Sequence, residues 1–574
     1  MPRLPEPLLV SPRRIEPIPS LVSPLLPVLL PLVLAAIVIS AAFARVFPRA
    51  TGGDTPRLRF TDVTAESGLR FTHQQGGPDA PTTLGGAVAV LDYNNDGAPD
   101  LFFVNGSPWP WEESLEKRPG RSSALFRNDG GGHFADVTAS AGLNVEMQGM
   151  GVTAGDFDND GLPDLYVTCV GRNHLFRNLG QGHFEDITDE ANVGGDDSTW
   201  SSGALWLDVD GDGHLDLIVL HYARWLSDGG LKQAFSIANI GRTYGTPVGF
   251  SSAFPTVYRN LGHGRFAPIA GSAGLRDLDP DTGRAVAQPL AIAPLDANGD
   301  GRLDVLITYQ NTMASLFLAR ADGTFAKQSA LPSARREGAT ASLASTSALV
   351  SDAEVGSDLR PALLTLLVAG LDRREGQPLA LATKLGVATA DFNLDGYIEV
   401  FSGQGAAELH LNKFESGRDF GRVPAVLERK DGHWSAIAWD AANTWMVSLT
   451  ARGVAAADFD GDGDSDIVIA QNNAAPLFLR NDQRVGSPWL RIRLIATRTQ
   501  RDAGGARVEV HMPRRVFVQT MAPALGFLAQ SDSTLTFGLG DDTRVRKIVI
   551  RWPSGRRQEL RPGELNRTLV VREP

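Results

Sequence analysis

Along most of this chain, short apolar runs alternate with tight polar turns, and one such unit recurs. An apolar run is followed by Asp-x-Asp/Asn-x-Asp-Gly-x-x-Asp/Glu and then by a second apolar run. The copies read VAVLDYNNDGAPDLFFV, VTAGDFDNDGLPDLYVT, ALWLDVDGDGHLDLIVL, AIAPLDANGDGRLDVLIT, VATADFNLDGYIEVFSG and VAAADFDGDGDSDIVIA. Runs this short, bounded by Asp, Asn and Gly, predict strands joined by tight turns. A second phrase follows several copies: LFRNDGGGHFADVTASAGL at 125–143, LFRNLGQGHFEDITDEANV at 175–193 and VYRNLGHGRFAPIAGSAGL at 257–275. Its Gly turn between apolar runs predicts another hairpin. Each unit therefore reads strand, acidic turn, strand, strand, Gly turn, strand, which is one four-stranded blade. Repetition of such a unit predicts an all-β propeller.

The phrases also predict how the ring closes. The last copy stops at Asn481-Asp482 without its final strand, whereas an orphan copy of that strand, RFTDVTAESGL, stands at 59–69. The N-terminal segment is expected to complete the last blade and so remove its free edge. The acidic turns start at 92, 156, 208, 296, 391 and 458. The long step before 391 leaves room for a degenerate blade at 349–370, making seven. Inserted loops near 221–256, 326–348 and 405–450 account for the remaining excess, and such loops commonly carry binding specificity.

Both ends depart from the repeat. Residues 1–24 form a Pro-rich tail, and 25–44 are a transmembrane anchor or signal segment, with no charge from Leu25 to Phe43. That uncharged run approaches the ~20 residues a helix needs to cross a bilayer. Ala42-Phe43-Ala44 resembles a cleavage site, which leaves a secreted form open. From 485 to 574 a different β unit begins: WLRIRLIA at 489–496 alternates apolar and basic residues, the period of a half-buried strand.

Composition changes this picture in two places. The single cysteine, Cys169, excludes an internal disulfide and a cysteine-built metal site. It lies in an apolar strand and is expected to be inert. The formal net charge of −12 argues against nucleic acid as a partner. Yet the six turns hold 21 carboxylates, so the rest of the chain has 45 acids against 54 bases. The acidity belongs to the turns, and six divalent ions would bring the total to zero.

Carboxylates at alternate positions of a tight turn converge on one point, which suits a hard cation with oxygen ligands. The candidate ligands are Asp92, Asn94, Asp96 and Asp100; Asp156, Asp158, Asp160 and Asp164; Asp208, Asp210, Asp212 and Asp216. The remaining three turns offer Asp296, Asn298, Asp300 and Asp304; Asp391, Asn393, Asp395 and Glu399; Asp458, Asp460, Asp462 and Asp466. Calcium (Ca2+) fits better than magnesium, which demands stricter octahedral geometry. About six structural sites are expected. An EF-hand is excluded because its twelfth position needs a bidentate Glu. Here that position holds Phe103, Val167, Val219, Ile307, Ser402 or Ile469.

These loops with their flanking strands resemble FG-GAP repeats, the calcium-binding propeller units of integrin alpha chains and many exported bacterial proteins. The resemblance covers about 58–482 and implies a seven-bladed propeller with calcium in its blade loops. Glu399 and Leu394 depart from the pattern in the fifth copy. The C-terminal unit resembles the ASPIC/UnbV domain through Gly505-Ala506-Arg507-Val508, Gly526-Phe527-Leu528-Ala529-Gln530-Ser531, Phe537-Gly538-Leu539-Gly540 and Trp552-Pro553-Ser554-Gly555. Together the two units resemble the cartilage-acidic-protein-like family, whose usual suggested role is binding or adhesion.

No nucleophile elbow, zinc-protease helix or phosphate loop is present in the sequence. His133, His183 and His263 each sit in the same Gly turn, as expected of a packing feature. Trp109, Trp111, Trp200, Trp206 and Trp225 divide between core positions and a face that could stack on sugars. The expectation is a non-catalytic, calcium-stabilised interaction module outside the cytosol, with a protein or glycan ligand. A carbohydrate hydrolase or lyase working on the propeller face is the alternative, and a scaffold subunit of a membrane complex a weaker one.

Overall fold

Each acidic turn joins two antiparallel strands made of the largely buried apolar runs on either side, with a register irregularity away from the turn in the blades of turns 156, 208, 296 and 458. In the blade of turn 92, Val88–Leu91 pairs antiparallel with Asp100–Phe103, which pairs with Ala124–Asn128 and then Phe134–Asp136. The same four-strand order is repeated around turns 156, 208, 296 and 391. The computed structural model describes residues 58–574 except 75–84, 108–121, 225–233, 238–240, 245–250, 280, 310–313, 329–385, 404–423, 431–432, 438–448, 484–485, 523–527 and 541–542. The tail, the anchor segment, the degenerate blade at 349–370 and Trp109, Trp111 and Trp225 lie outside the described residues.

The blade of turn 458 is completed from the other end of the chain, as the orphan phrase predicts. Phe60–Asp62 pairs antiparallel with Leu477–Asn481, with Phe60 opposite Asn481 and Asp62 opposite Leu479. Phe60 is 1% exposed and meets Phe392 of the neighbouring blade edge-on, with centroids 5.8 Å apart. Six four-stranded blades are thus described, and their inner strands lie side by side in a ring. The ring order runs from the blade of turn 391 through 458, 92, 156 and 208 to 296. The architecture is an all-β propeller.

Blades are stapled to one another by the asparagine of the Phe-Arg-Asn phrase. The carboxamide Nδ2 of Asn178 donates to the Tyr93 carbonyl at 2.8 Å, across a blade boundary. Asn260 does the same to Phe157, Asn128 to Phe459 and Asn481 to Phe392, each at 2.8 or 2.9 Å. In every case the acceptor is the residue just after the first Asp of the neighbouring turn. The staple thus holds the turns in fixed relation. Trp200 and Trp206 are core residues, 2% and 0% exposed.

The C-terminal β unit has its own core, with Leu490, Ile492, Val508, Phe537, Ile548 and Trp552 buried between two sheets. Trp489–Ile495 lies at the centre of one sheet, parallel to Arg567–Arg572 and antiparallel to Leu535–Gly538. It packs on the propeller face that carries the acidic turns. A Cβ on Gly463 (φ +102°) would stand 1.8 Å from the Trp489 ring, and one on Gly396 would stand 2.1 Å from Phe517. Its short strand Ala529–Gln530 pairs in parallel with the inner strand Val88–Leu91. The Gln530 side chain bonds both the N–H and the carbonyl of Ala154 in the next inner strand. No described helix is long and apolar enough to cross a membrane.

Candidate metal centres

All six turns share one wiring. The first carboxylate uses its Oδ2 to accept the N–H of the glycine five residues on, from Asp92–Gly97 through Asp458–Gly463, at 2.8 to 3.1 Å. The ninth position is a strut. One oxygen of Asp164 accepts the Phe157 N–H and the other the Asn178 N–H, and Asp100, Asp216 and Asp466 repeat the arrangement. Asp304 does so with Ala297 and Ala319, while Glu399 takes the Phe392 N–H. The fourth position is left-handed in the turns that place Asn95, Asn159 or Leu394 there, with φ of 57°, 60° and 53°. Asparagine adopts that conformation several-fold more readily than leucine. The fifth copy is therefore the strained one, where the sequence departs from the pattern.

With Oδ2 committed to the glycine N–H, Oδ1 of the first carboxylate is the atom left to serve a cation in turns 92 and 156, whereas in turns 208, 296, 391 and 458 it also accepts a backbone N–H. Oδ1 of Asp156 is buried with no hydrogen-bond partner, and Asp156 is 3% exposed. The Oδ1 of Asp92 is likewise buried and unpartnered. In three turns the carboxylates converge: Asp156, Asp158 and Asp164, then Asp208, Asp210 and Asp216, then Asp458, Asp460 and Asp466. Within each group one oxygen per residue lies within 4.8 Å of the others. The turns at 92, 296 and 391, which carry asparagine at the third position, are not among these groups. A buried carboxylate oxygen without a donor is costly unless a cation serves it. The donor set, all oxygen and mostly anionic, fits a hard divalent ion such as calcium.

The electrostatics agree. Burial, reinforced by neighbouring carboxylates, pushes Asp156 up to about 7, with Asp502 the first of those neighbours. Burial likewise raises Asp208 to about 6, Asp216 to about 7 and Asp458 to about 6. Asp164 and Asp466, the struts, are raised well above the carboxylate range by the same cause. Arginines of the Phe/Tyr-Arg-Asn phrase compensate part of the charge. Arg177 Nη2 lies 2.6 Å from Asp158, and Arg259 pairs with Asp210.

The remaining candidates do not assemble into a reactive centre. His133, His183 and His263 are exposed, on the Gly turns between outer strands. Two histidines not singled out from the sequence are buried: His73 and His221, lowered by burial to about 3 and about 4. His221 Nδ1 lies 3.1 Å from Ser201 Oγ and its Nε2 lies 2.8 Å from Thr256 Oγ1. That pair has the atoms of a nucleophile and a base, but Ser201 is 0% exposed and closed to substrate. Cys169 is buried, and burial pushes its thiol upward.

Blades with this wiring define a class, the β-propeller of FG-GAP-like repeats, here joined to a second domain. The FG-GAP-like repeat family matches residues 92–167, 159–219 and 391–469, and the ASPIC and UnbV family matches 496–574. Among full proteins, the chain is similar to human cartilage acidic protein 1, 24% identical over 324 residues, covering 55% of this chain and 40% of that protein. The Xenopus tropicalis protein of the same name is 25% identical over 326 residues, covering 55% and 41%. The chain thus matches well under half the length of these curated relatives. Among solved structures, AofleA from Arthrobotrys oligospora aligns with a TM-score of 0.32 at 12% identity, covering 73% of this chain and 91% of that one. An Agrocybe aegerita protein described as recognising non-reducing terminal N-acetylglucosamine aligns at 0.29 and 17% identity, covering 69% and 80%. At these scores the likeness assigns neither ligand nor activity.

Proposed function

We propose that this chain is a cation-stabilised β-propeller serving as an interaction module outside the cytosol, with no catalytic chemistry of its own. The observation that carries the reading is Asp156. Its Oδ1 is buried without a donor, while Oδ2 is held by Gly161 and two more carboxylates stand within ligand distance of one another. Six turns of one pattern mean that the ion acts as a staple for each blade hairpin. Weak modular calcium sites fill at the millimolar levels found outside cells and stay empty in the cytosol. The FG-GAP-like repeats and the similarity to cartilage acidic protein 1 support the same location. The ligand is a protein or a glycan, held by the propeller's inserted loops, and the N-terminal apolar run exports the chain or anchors it to the membrane.

Two measurements test this. Elemental analysis and thermal melting, with calcium and with chelator, should find about six ions and a large loss of melting temperature on chelation. Glycan-array and pull-down binding of the protein should then be calcium-dependent. Melting that ignores chelator, with no metal found, would defeat the reading.

A further inference from the structure

The alternating arginines of Trp489–Ile495 reach into the propeller. Arg493 Nη1 donates to Oδ2 of Asp92 at 2.8 Å, and Arg491 Nη1 donates to Oδ2 of Asp458 at 2.8 Å. In the turn between 391 and 399 the backbone takes the same part, the Gly538 N–H donating to Oδ2 of Asp391 at 2.8 Å. Three successive turns of the ring, 391, 458 and 92, thus receive a donor from the C-terminal domain on the same atom. That atom is the back oxygen of the first carboxylate, already bonded to the turn's glycine, and not the oxygen that faces the turn. Among the described residues, no hydrogen bond from the C-terminal domain reaches Asp208 or Asp296.

We propose that the C-terminal domain forms the outer coordination shell of these three cation sites, with Arg493 and Arg491 as positioning residues for turns 92 and 458. The inference rests on cation binding at the turns and extends it. A second-shell donor fixes the orientation of the liganding carboxylate, and its loss typically weakens metal binding by about 10- to 100-fold. Charge points the same way. Turn 92 carries Asp92, Asp96 and Asp100, so one divalent ion leaves a single negative charge, which the Arg493 guanidinium neutralises. Arg491 is held in place from behind by Asp532, 2.6 Å from its Nη2, and only 8% of it is exposed. Turn 156 is a mixed case. Arg501 Nε stands 3.8 Å from Oδ2 of Asp156, while Oδ2 of Asp502 accepts that residue's N–H. Because coupling is reciprocal, calcium at turns 391, 458 and 92 also fastens the C-terminal domain to the propeller.

Hydrogen exchange read by mass spectrometry on the full chain resolves the sites. The segment 92–100 reports the calcium midpoint of its own turn, and 208–216 serves as the internal control. Arg493→Ala should move the midpoint of 92–100 to about 10- to 100-fold higher calcium and leave that of 208–216 in place. Arg493→Lys, which keeps the charge, should recover part of the shift. In the wild type, calcium should slow exchange along Trp489–Ile495, and Arg493→Ala should reduce that slowing. An unchanged midpoint, or a lower one as expected if guanidinium and ion compete, overturns the proposal. So does an equal shift at both segments, which marks general destabilisation. A wild type that takes up no calcium instead refutes the reading of the turns themselves.

Discussion

The blade-to-blade staple makes a sharp stability prediction at Asn178. Its side chain is 0% exposed. Its Nδ2 donates to the Tyr93 carbonyl at 2.8 Å and to the Pro163 carbonyl at 3.2 Å, and its Oδ1 accepts the Gly180 N–H at 3.0 Å. Asn178→Ala deletes all three bonds while leaving the backbone bond to Asp164 intact. The carbonyl of Tyr93 then lies buried and loses its donor, at about 1–3 kcal/mol. The other two bonds lie partly open to water and cost about 0.5 kcal/mol each. The total is about 2–4 kcal/mol, a large fraction of a typical folding free energy of ~5–15 kcal/mol. Urea denaturation should register it as a lowered midpoint. Hydrogen exchange should speed up at Tyr93 and along 92–100, in the neighbouring blade, because the lost donor crosses the boundary. The exposed neighbour Leu179→Ala is the control and should stay within about 0.5 kcal/mol of wild type. An Asn178→Ala protein as stable as that control, or one whose faster exchange stays within its own blade, would refute the staple.

Three further outcomes follow from the same wiring. Asp156→Asn should remove one calcium equivalent by titration calorimetry, yet in chelator it should melt higher than wild type, because it removes an uncompensated buried carboxylate. In chelator, stability should fall as pH rises from about 4 to about 7. Folded-state values of about 7 for Asp156, about 6 for Asp208, about 7 for Asp216 and about 6 for Asp458 exceed the ordinary carboxylate value. The folded form therefore holds protons that the unfolded form has released. Saturating calcium should flatten or reverse that slope, since the ion binds the deprotonated groups; melting curves at pH 5 to 8 with and without calcium read both signs. Phe60→Ala, which empties a site packed against Phe392 and Phe401, should cost about 3–5 kcal/mol in urea denaturation and open the ring at the Phe60–Asp62 edge.

What the sequence made legible is what the chain encodes locally. An Asp/Asn/Gly turn between buried runs is written within one short window, and its repetition identifies the blade. The orphan strand at 59–69 shows ring closure because its phrase is the one missing after Asn481, and Phe60 does lie opposite Asn481. The staple asparagines were printed in every Phe/Tyr-Arg-Asn phrase, but a phrase cannot show that a carboxamide reaches the next blade. Their absence from the blade of turn 296, where Ala319 stands in that place, marks the same limit. Buried His73 and His221 gave no local signal at all.

The alternating strand Trp489–Ile495 shows most clearly where the pattern stops informing. Period-two alternation of apolar and basic residues says that one side is buried in the domain's own core, and Leu490 and Ile492 are. It says nothing about what the other side meets, which is equally compatible with water. That side faces carboxylates 401 positions earlier in the chain for Arg493, and 33 earlier for Arg491. The net charge of −12 has the same history. Read as a sum, it suggests an acidic surface; read by turn, it is a set of clustered carboxylates whose ninth-position members are all buried and which arginines serve in part. Arg177, Arg259 and Arg302 pair within the blades, and Arg491 and Arg493 from the C-terminal domain. Deleting the C-terminal domain would therefore expose more than a docking surface: it would strip donors from the ligand carboxylates of three successive blades. Calcium affinity of the propeller is on this account a property of both domains together.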